Sequence, residues 1–137
     1  MMTQETEILC RIFNLGRSIT SNDLAYNLTV IQLRTLGYIY KQKSARPTDI
    51  AKNFNITPAS VTSQIDNLVE DGWLERVYNQ EDKRVIEVVL TKTGKKNLPK
   101  AIQDLKNRFS WISGALNESE ETEFLQLLKK ITSSQKK

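Results

Sequence analysis

The spacing of apolar residues changes period twice along this chain, and that pattern constrains its fold more than any other feature. Up to Gly72 apolar side chains recur at three- and four-residue steps; from Trp73 to Leu90 they alternate; after Thr91 the helical step returns. A step near 3.6 marks helices and a step of two marks strands. The alternating stretch has room for two short strands and a turn. The chain therefore reads as mainly α with a small β-hairpin set between helices.

The helices can be placed one by one. Thr3 to Thr20 carries Ile8, Ile12, Leu15 and Ile19, a narrow stripe widened by Leu9 and Phe13 that suits packing on another helix. The polar stretch Ser18 to Asp23 loosens that pattern. Thr29 to Lys43 carries Ile31, Leu33, Leu36 and Ile39, with Thr29 placed to cap it and Pro47 to break it. A short helix over Pro47 to Phe54 turns Ile50 and Ala51 inward. Thr57-Pro58 then opens a helix with Val61, Ile65 and Leu68 inward, stopped by Gly72. Two short helices joined by a tight turn outline a helix-turn-helix. Trp73 to Val77 and Val85 to Leu90 are the strands, with Tyr78 to Arg84 as a charged tip. Thr91 to Ser113 is helical again through Leu98, Ile102, Leu105, Phe109 and Ile112, with Pro99 expected to kink or delay it. Asn117 and Glu120 form a capping-box pattern ahead of Phe124, Leu127, Leu128 and Ile131.

Length and composition bound the function. The 137 residues suit a single domain. There is no histidine, so Ser-His-Asp or Cys-His catalysis and a His-ligated zinc are closed off. No metal-ligand cluster and no Gly-rich phosphate loop is present. Neither an enzyme nor a metal or cofactor is indicated. The acidic run Glu118, Glu120, Glu121 and Glu123 suits the positive end of a helix better than catalysis. The single cysteine, Cys10, allows no internal disulfide and fits a reducing cytoplasm. No apolar stretch approaches a membrane span, and neither end reads as a targeting signal. The net charge of +4 is compatible with a polyanion partner without requiring one.

The order helix, helix, helix-turn-helix, hairpin, long helix, helix is the outline of a winged helix with helical arms. In such a unit the second helix of the motif enters the DNA major groove. Its outward face is expected to show Ala59, Ser60, Thr62, Ser63, Gln64 and Asn67, with Thr57 at the anion-attracting N-terminus. Taken alone, such a face serves equally well as a solvated surface. At the tip, Asp82, Lys83 and Arg84 place a guanidinium beside a carboxylate that can brace it, an arrangement suited to a narrow minor groove. Alone, this too is an ordinary charged turn.

These residues carry a family resemblance. Thr48-Asp49-Ile50-Ala51, Ile56-Thr57-Pro58-Ala59-Ser60-Val61-Thr62 and Ile65-Asp66-Asn67-Leu68 resemble the recognition unit of the MarR family of transcriptional regulators. Asp71-Gly72-Trp73-Leu74-Glu75-Arg76, then Asn79-Gln80-Glu81-Asp82-Lys83-Arg84, then Val88-Val89-Leu90-Thr91-Lys92-Thr93-Gly94 resemble its wing. The resemblance implies a cytoplasmic homodimer on a pseudo-palindromic double-stranded DNA site, usually a repressor. It implies dimerisation helices at about 3–20 and 92–133 around a DNA-binding winged helix at about 29–91. It also implies that Arg84 is the wing arginine, that Asp82 steadies it, and that Asp66 pairs with it as well. Two departures stand out: many members carry Arg at the position of Ser63 and a basic residue at that of Asn67. Affinity is then expected to lean on Arg84, Lys83 and the stretch Lys92, Lys95, Lys96.

The resemblance also implies a small aromatic or anionic effector, with Tyr26, Tyr38, Tyr40 and Trp111 as pocket candidates that serve equally well as core. Cys10 stands much where the family's peroxide-sensing branch has its cysteine, but Val30 and Leu33 replace the tyrosines of that branch. A redox regulator using Cys10 and a winged-helix protein-interaction module without DNA binding are the alternatives.

Overall fold

A computed structural model of the protein describes residues 2–19 and 24–135. In chain order the elements are α1 (Gln4–Ile19), a 3-10 turn (Ala25–Asn27), α2 (Val30–Gln42), α3 (Pro47–Phe54), α4 (Pro58–Glu70), β1 (Leu74–Tyr78), β2 (Ile86–Leu90), α5 (Lys92–Arg108), α6 (Ser110–Gly114) and α7 (Glu118–Ser133). The chain divides into two compact units, Met1–Leu105 and Lys106–Lys137. That division falls inside the segment 92–133, which the family resemblance treats as one. Residues 20–23 of the expected loosening after α1, and residues 136 and 137 of the polar tail, lie outside the described residues.

In the first unit, the stripes that spacing picks out from α2 through α5 are the ones buried, whereas the stripe of α1 is not. Leu33, Leu36 and Ile39 of α2 pack with Ile50 and Ala51 of α3, and with Val61, Ile65 and Leu68 of α4. Trp73, Leu74, Val88 and Leu90 of the hairpin region and Leu98 and Ala101 of α5 complete the core. Ile31 is the exception, 49% exposed, because residues two apart on a helix face different ways. The buried Thr35 takes an inward position instead, its hydroxyl donating to the Ile31 carbonyl oxygen (3.0 Å).

Local chemistry sets the boundaries. Thr29 Oγ1 accepts from Gln32 N (3.1 Å) while Gln32 Oε1 accepts from Thr29 N (3.0 Å), a complete capping box. Gly72, at φ 83°, takes the left-handed turn from α4 into β1. Thr91 then locks the hairpin base to α5. Its hydroxyl donates to Gly72 O (2.6 Å) and accepts from Gly94 N (2.9 Å), and its backbone N–H donates to Trp73 O (3.0 Å). A Cβ at Gly94 would lie 2.5 Å from Trp73 O, so this close approach requires glycine. The turn Ala25–Asn27 is tied to α5 as well, Ala25 N donating to Asp104 Oδ2 (2.8 Å).

β1 and β2 are antiparallel, with Leu74 opposite Leu90 and Arg76 opposite Val88. A third, one-residue strand lies beside them. Ala45 N donates to Val88 O (3.1 Å) and Val88 N to Ala45 O (2.8 Å). Sequence shows that stretch only as a helix break, since a single bridge has no period.

The helix expected over Thr91 to Ser113 is interrupted at Phe109 (φ −109°, ψ 19°) rather than at Pro99, through which α5 runs. Pro99 removes one backbone bond, to the Lys95 carbonyl, and the rest of the ladder carries the helix. In the second unit, Asn117 Oδ1 accepts from Glu120 N (2.9 Å) and Glu120 Oε1 from Asn117 N (3.0 Å), opening α7 as its spacing predicts. Neither α1 nor α7 buries a side chain among the described residues.

Candidate nucleic-acid interface

The surface of α4 is built by its own cap. Thr57 Oγ1 accepts from Ser60 N (3.2 Å), and the Thr57 hydroxyl donates to Ser60 Oγ (2.9 Å). As the acceptor in that bond, the Ser60 hydroxyl keeps its own hydrogen for an outside acceptor. The Thr62 hydroxyl donates to Pro58 O (3.0 Å). Ala59, Ser63 and Asn67 are exposed, and the last two make no side-chain hydrogen bond among the described residues. The face is therefore short, polar and accessible, and α4 carries no lysine or arginine.

Gln64 does not belong to that face. It is half-buried, and its Oε1 lies 3.1 Å from Thr35 Oγ1, sharing the one hydroxyl hydrogen that Thr35 also directs at the Ile31 carbonyl. It lies three residues after Val61 and four before Leu68, on the buried stripe, and its amide joins α4 to α2. The helical angle, rather than the polarity of the side chain, locates it.

The hairpin tip is ordered by side chains reaching back to the chain. Asn79 Oδ1 accepts from Glu81 N (2.9 Å) and Asp82 N (3.2 Å). Asp82 Oδ1 accepts from Arg84 N (3.1 Å) and Arg84 Nε (3.0 Å), and Asp82 Oδ2 from Arg84 Nη2 (3.2 Å). The Arg84 guanidinium, then its backbone N–H, hold the Asp82 carboxyl below the ordinary carboxylate range. Arg84 itself is 91% exposed. Two of its nitrogens are braced from behind, and the remaining N–H groups point to solvent, a preformed donor for phosphate or a groove edge. Lys83 is exposed beside it. The sequence reading gives Asn79 no part in this turn, although an Asn three residues before an Asp is a turn signal.

Asp66 does not reach Arg84. Its carboxylate pairs with Arg76 of β1. Arg76 is two residues from the buried Leu74 and opposite the buried Val88, so it lies on the hairpin face that meets α4. A cation placed there finds the nearest acid on α4. The pair neutralises one of the two acidic residues of α4 and couples that helix to the hairpin.

The tyrosines are not gathered into one pocket. Tyr26 meets Trp73 edge-on (5.3 Å between ring centroids) in a concavity with Asp71, Asn97 and Thr93. Tyr38 meets Phe54 (5.4 Å) beside Asp49 and Lys52. Tyr40 lines a third concavity with three lysines. Trp111, on α6, is 52% exposed. Cys10 is exposed, and the neighbouring Arg11 is committed to Glu7 (2.7 Å). No group of three or more metal-ligating side chains occurs among the described residues, and no described helix is long and apolar enough to cross a membrane.

A helix-turn-helix with a polar second helix, followed by a hairpin bearing a braced and exposed arginine, defines a winged helix-turn-helix protein. A model of the MarR family matches residues 28–86. The HTH-type transcriptional repressor YetL of Bacillus subtilis is 36% identical over 91 residues, covering 64% of this chain and 53% of that protein, so the match spans about half of YetL. The HTH-type transcriptional regulator BilQ of Clostridioides difficile is 30% identical over 107 residues, 77% of this chain and 70% of BilQ. A MarR mutant from Escherichia coli, solved in complex with operator DNA, shares the fold with a TM-score of 0.78 at 24% identity over 93% of this chain and 94% of that one. The chain belongs to the MarR family of transcriptional regulators.

Proposed function

We propose that this regulator binds double-stranded DNA sequence-specifically through α4 and the hairpin tip. It works in the cytoplasm as a homodimer on a pseudo-palindromic site. It represses until a small aromatic or anionic effector releases it. Residues 1–137 act as one functional domain, with 29–91 reading DNA and 3–20 and 92–133 pairing between protomers. The carrying observation is the tip: a 91% exposed guanidinium held from behind by Asp82, next to a helix whose outward face is short and polar. A protein-interaction module has no need of that arrangement.

Dimer formation is supported by the apolar surface the chain leaves uncovered. Ile8, Leu9, Ile12 and Phe13 of α1 are exposed, as are Leu125, Leu127, Leu128 and Ile131 of α7. Apolar stripes on this scale mark interaction surfaces. YetL, a relative at 36% identity, is named a transcriptional repressor, which supports repression here.

The test is fluorescence anisotropy with a duplex from upstream of the protein's own gene, followed across salt concentrations. Binding is expected to be saturable and sequence-dependent. Arg84→Ala is expected to weaken it and to lower the log–log salt slope by about 0.9 for each phosphate that a protomer no longer neutralises. An unchanged slope refutes the wing contact. Absence of sequence-dependent binding refutes the reading.

A further inference from the structure

We propose that Tyr78 of β1 donates its phenolic hydrogen to a phosphate of the DNA strand that separates the groove read by α4 from the groove reached by Arg84, with its ring steadied by Ile86 of β2. This contact rests on the DNA binding proposed above. It adds a residue that belongs neither to α4 nor to the braced arginine.

The hairpin has two unlike faces. Leu74, Arg76 and Tyr78 alternate onto one of them, and Leu90, Val88 and Ile86 stand opposite them in register. Along that face the innermost pair, Leu74 and Leu90, is buried in the core. In the middle pair Val88 is buried, while Arg76 meets Asp66 of α4. The outermost pair runs clear of the core, with Tyr78 66% exposed and Ile86 38%. The Tyr78 side chain makes no hydrogen bond and no ring contact among the described residues. Its hydroxyl is a free donor on a ring whose only local support is the residue across the strand pair.

Charge divides the same way. The face of Arg76 and Tyr78 holds no carboxylate from either strand, whereas Glu75 and Glu87 alternate onto the other face. A polyanion is drawn to the first face and repelled by the second. Position supplies the rest. Arg76 fixes that face against α4, and Tyr78 lies two residues nearer the tip, about 7 Å at about 3.3 Å per residue. Tyr78 therefore stands between α4 and Arg84, on the side of the hairpin that α4 occupies. Neighbouring grooves of a duplex are divided by one sugar-phosphate strand. A side chain between the element in one groove and the element in the next meets that strand, and a tyrosine hydroxyl is a suitable donor to it.

The test is fluorescence anisotropy with the upstream duplex, comparing wild type with Tyr78→Phe, which keeps the ring and its place beside Ile86 and removes only the hydroxyl. Affinity is expected to fall at least about tenfold, the scale of one hydrogen bond to a charged group. A phosphate carries no sequence, so a shuffled duplex is expected to lose the same factor. A neutral hydroxyl displaces no cation, so the log–log salt slope is expected to keep its wild-type value, unlike that of Arg84→Ala. Duplexes with a single methylphosphonate linkage locate the acceptor: at one linkage of each half-site wild type is expected to weaken and its advantage over Tyr78→Phe to vanish. Equal affinity of the two proteins, a salt slope lowered as in Arg84→Ala, or an advantage that persists at every linkage overturns the contact. A lower urea midpoint for Tyr78→Phe overturns it as well, because the loss is then one of folding. If wild type binds no duplex, the DNA reading fails and this contact with it; if wild type binds and Tyr78→Phe matches it, the tyrosine contact alone fails.

Discussion

Gly94→Ala and Gly37→Ala make the same chemical change inside two helices and are expected to have opposite effects. At Gly94 the added Cβ would meet Trp73 O at 2.5 Å and Thr91 Oγ1 at 3.2 Å. Closest ordinary carbon–oxygen contacts are about 3.3 Å, so the backbone must yield by about 0.8 Å. That movement pulls on the bonds joining Thr91 to Trp73 and to Gly94, which fix the start of α5 on the hairpin base. Overpacking of this kind costs about 1–3 kcal/mol, and replacing a helical glycine by alanine returns up to about 1 kcal/mol. The net expectation is a loss of about 1–2 kcal/mol. At Gly37, within α2, nothing among the described residues lies within 4 Å of the added carbon. There the helix-propensity gain of about 0.5–1 kcal/mol stands alone. Urea denaturation at fixed protein concentration reads both, since self-association shifts apparent stability by mass action. If Gly94→Ala proves as stable as wild type, the close approach at the hairpin base does not constrain the fold and the reasoning is wrong.

Two further outcomes follow from the charged pairs. Asp66→Asn is expected to leave the tip unaltered, because Asp66 contacts Arg76 and not Arg84; the pair is exposed, so stability should change by no more than about 1 kcal/mol. Duplex affinity should rise at low salt, since the variant removes a negative charge from α4 and frees Arg76; weaker binding together with a changed Arg84 Nε–H signal in NMR spectra counts against this pairing. The Asp82 carboxyl is held low by Arg84, so its contribution to tip order is present at and above the ordinary carboxylate range. It disappears only as pH falls through the depressed value. The Asp82 carboxyl carbon followed by NMR should therefore titrate below that range in wild type and within it in Arg84→Ala; coincident midpoints would contradict the brace.

Much of this architecture is visible in the residues because its signals are local. A cap at Thr29, Thr57 or Asn117 joins residues three apart, and the stripe of α4 repeats within one helix. Asp82 and Arg84 are two residues apart, so their contact is also a near-neighbour property. What stays hidden depends on angle or on distance along the chain. Polarity groups Gln64 with the outward face, although its helical position is inward, where Thr35 waits 29 residues earlier. Arg76 gives no signal, because a cation in a short strand does not show which helix the strand covers. The tyrosines share a chemistry that suggests one pocket, but Tyr26, Tyr38 and Tyr40 line three separate concavities.

By itself, then, the sequence determined the element order, the caps, the buried stripes of the helix-turn-helix and the braced arginine. Each is written in spacings of two to four residues, which helix and strand geometry convert directly into neighbours. Only the tertiary structure decided what meets across elements. It placed Arg76 against Asp66, Ala45 beside Val88 and Gly94 under Trp73, and it set three lysines around one cavity. Those contacts follow from how the hairpin lies on α4 and how α2 and α5 flank it. That arrangement is settled by the packing of the whole first unit, and no local pattern encodes it.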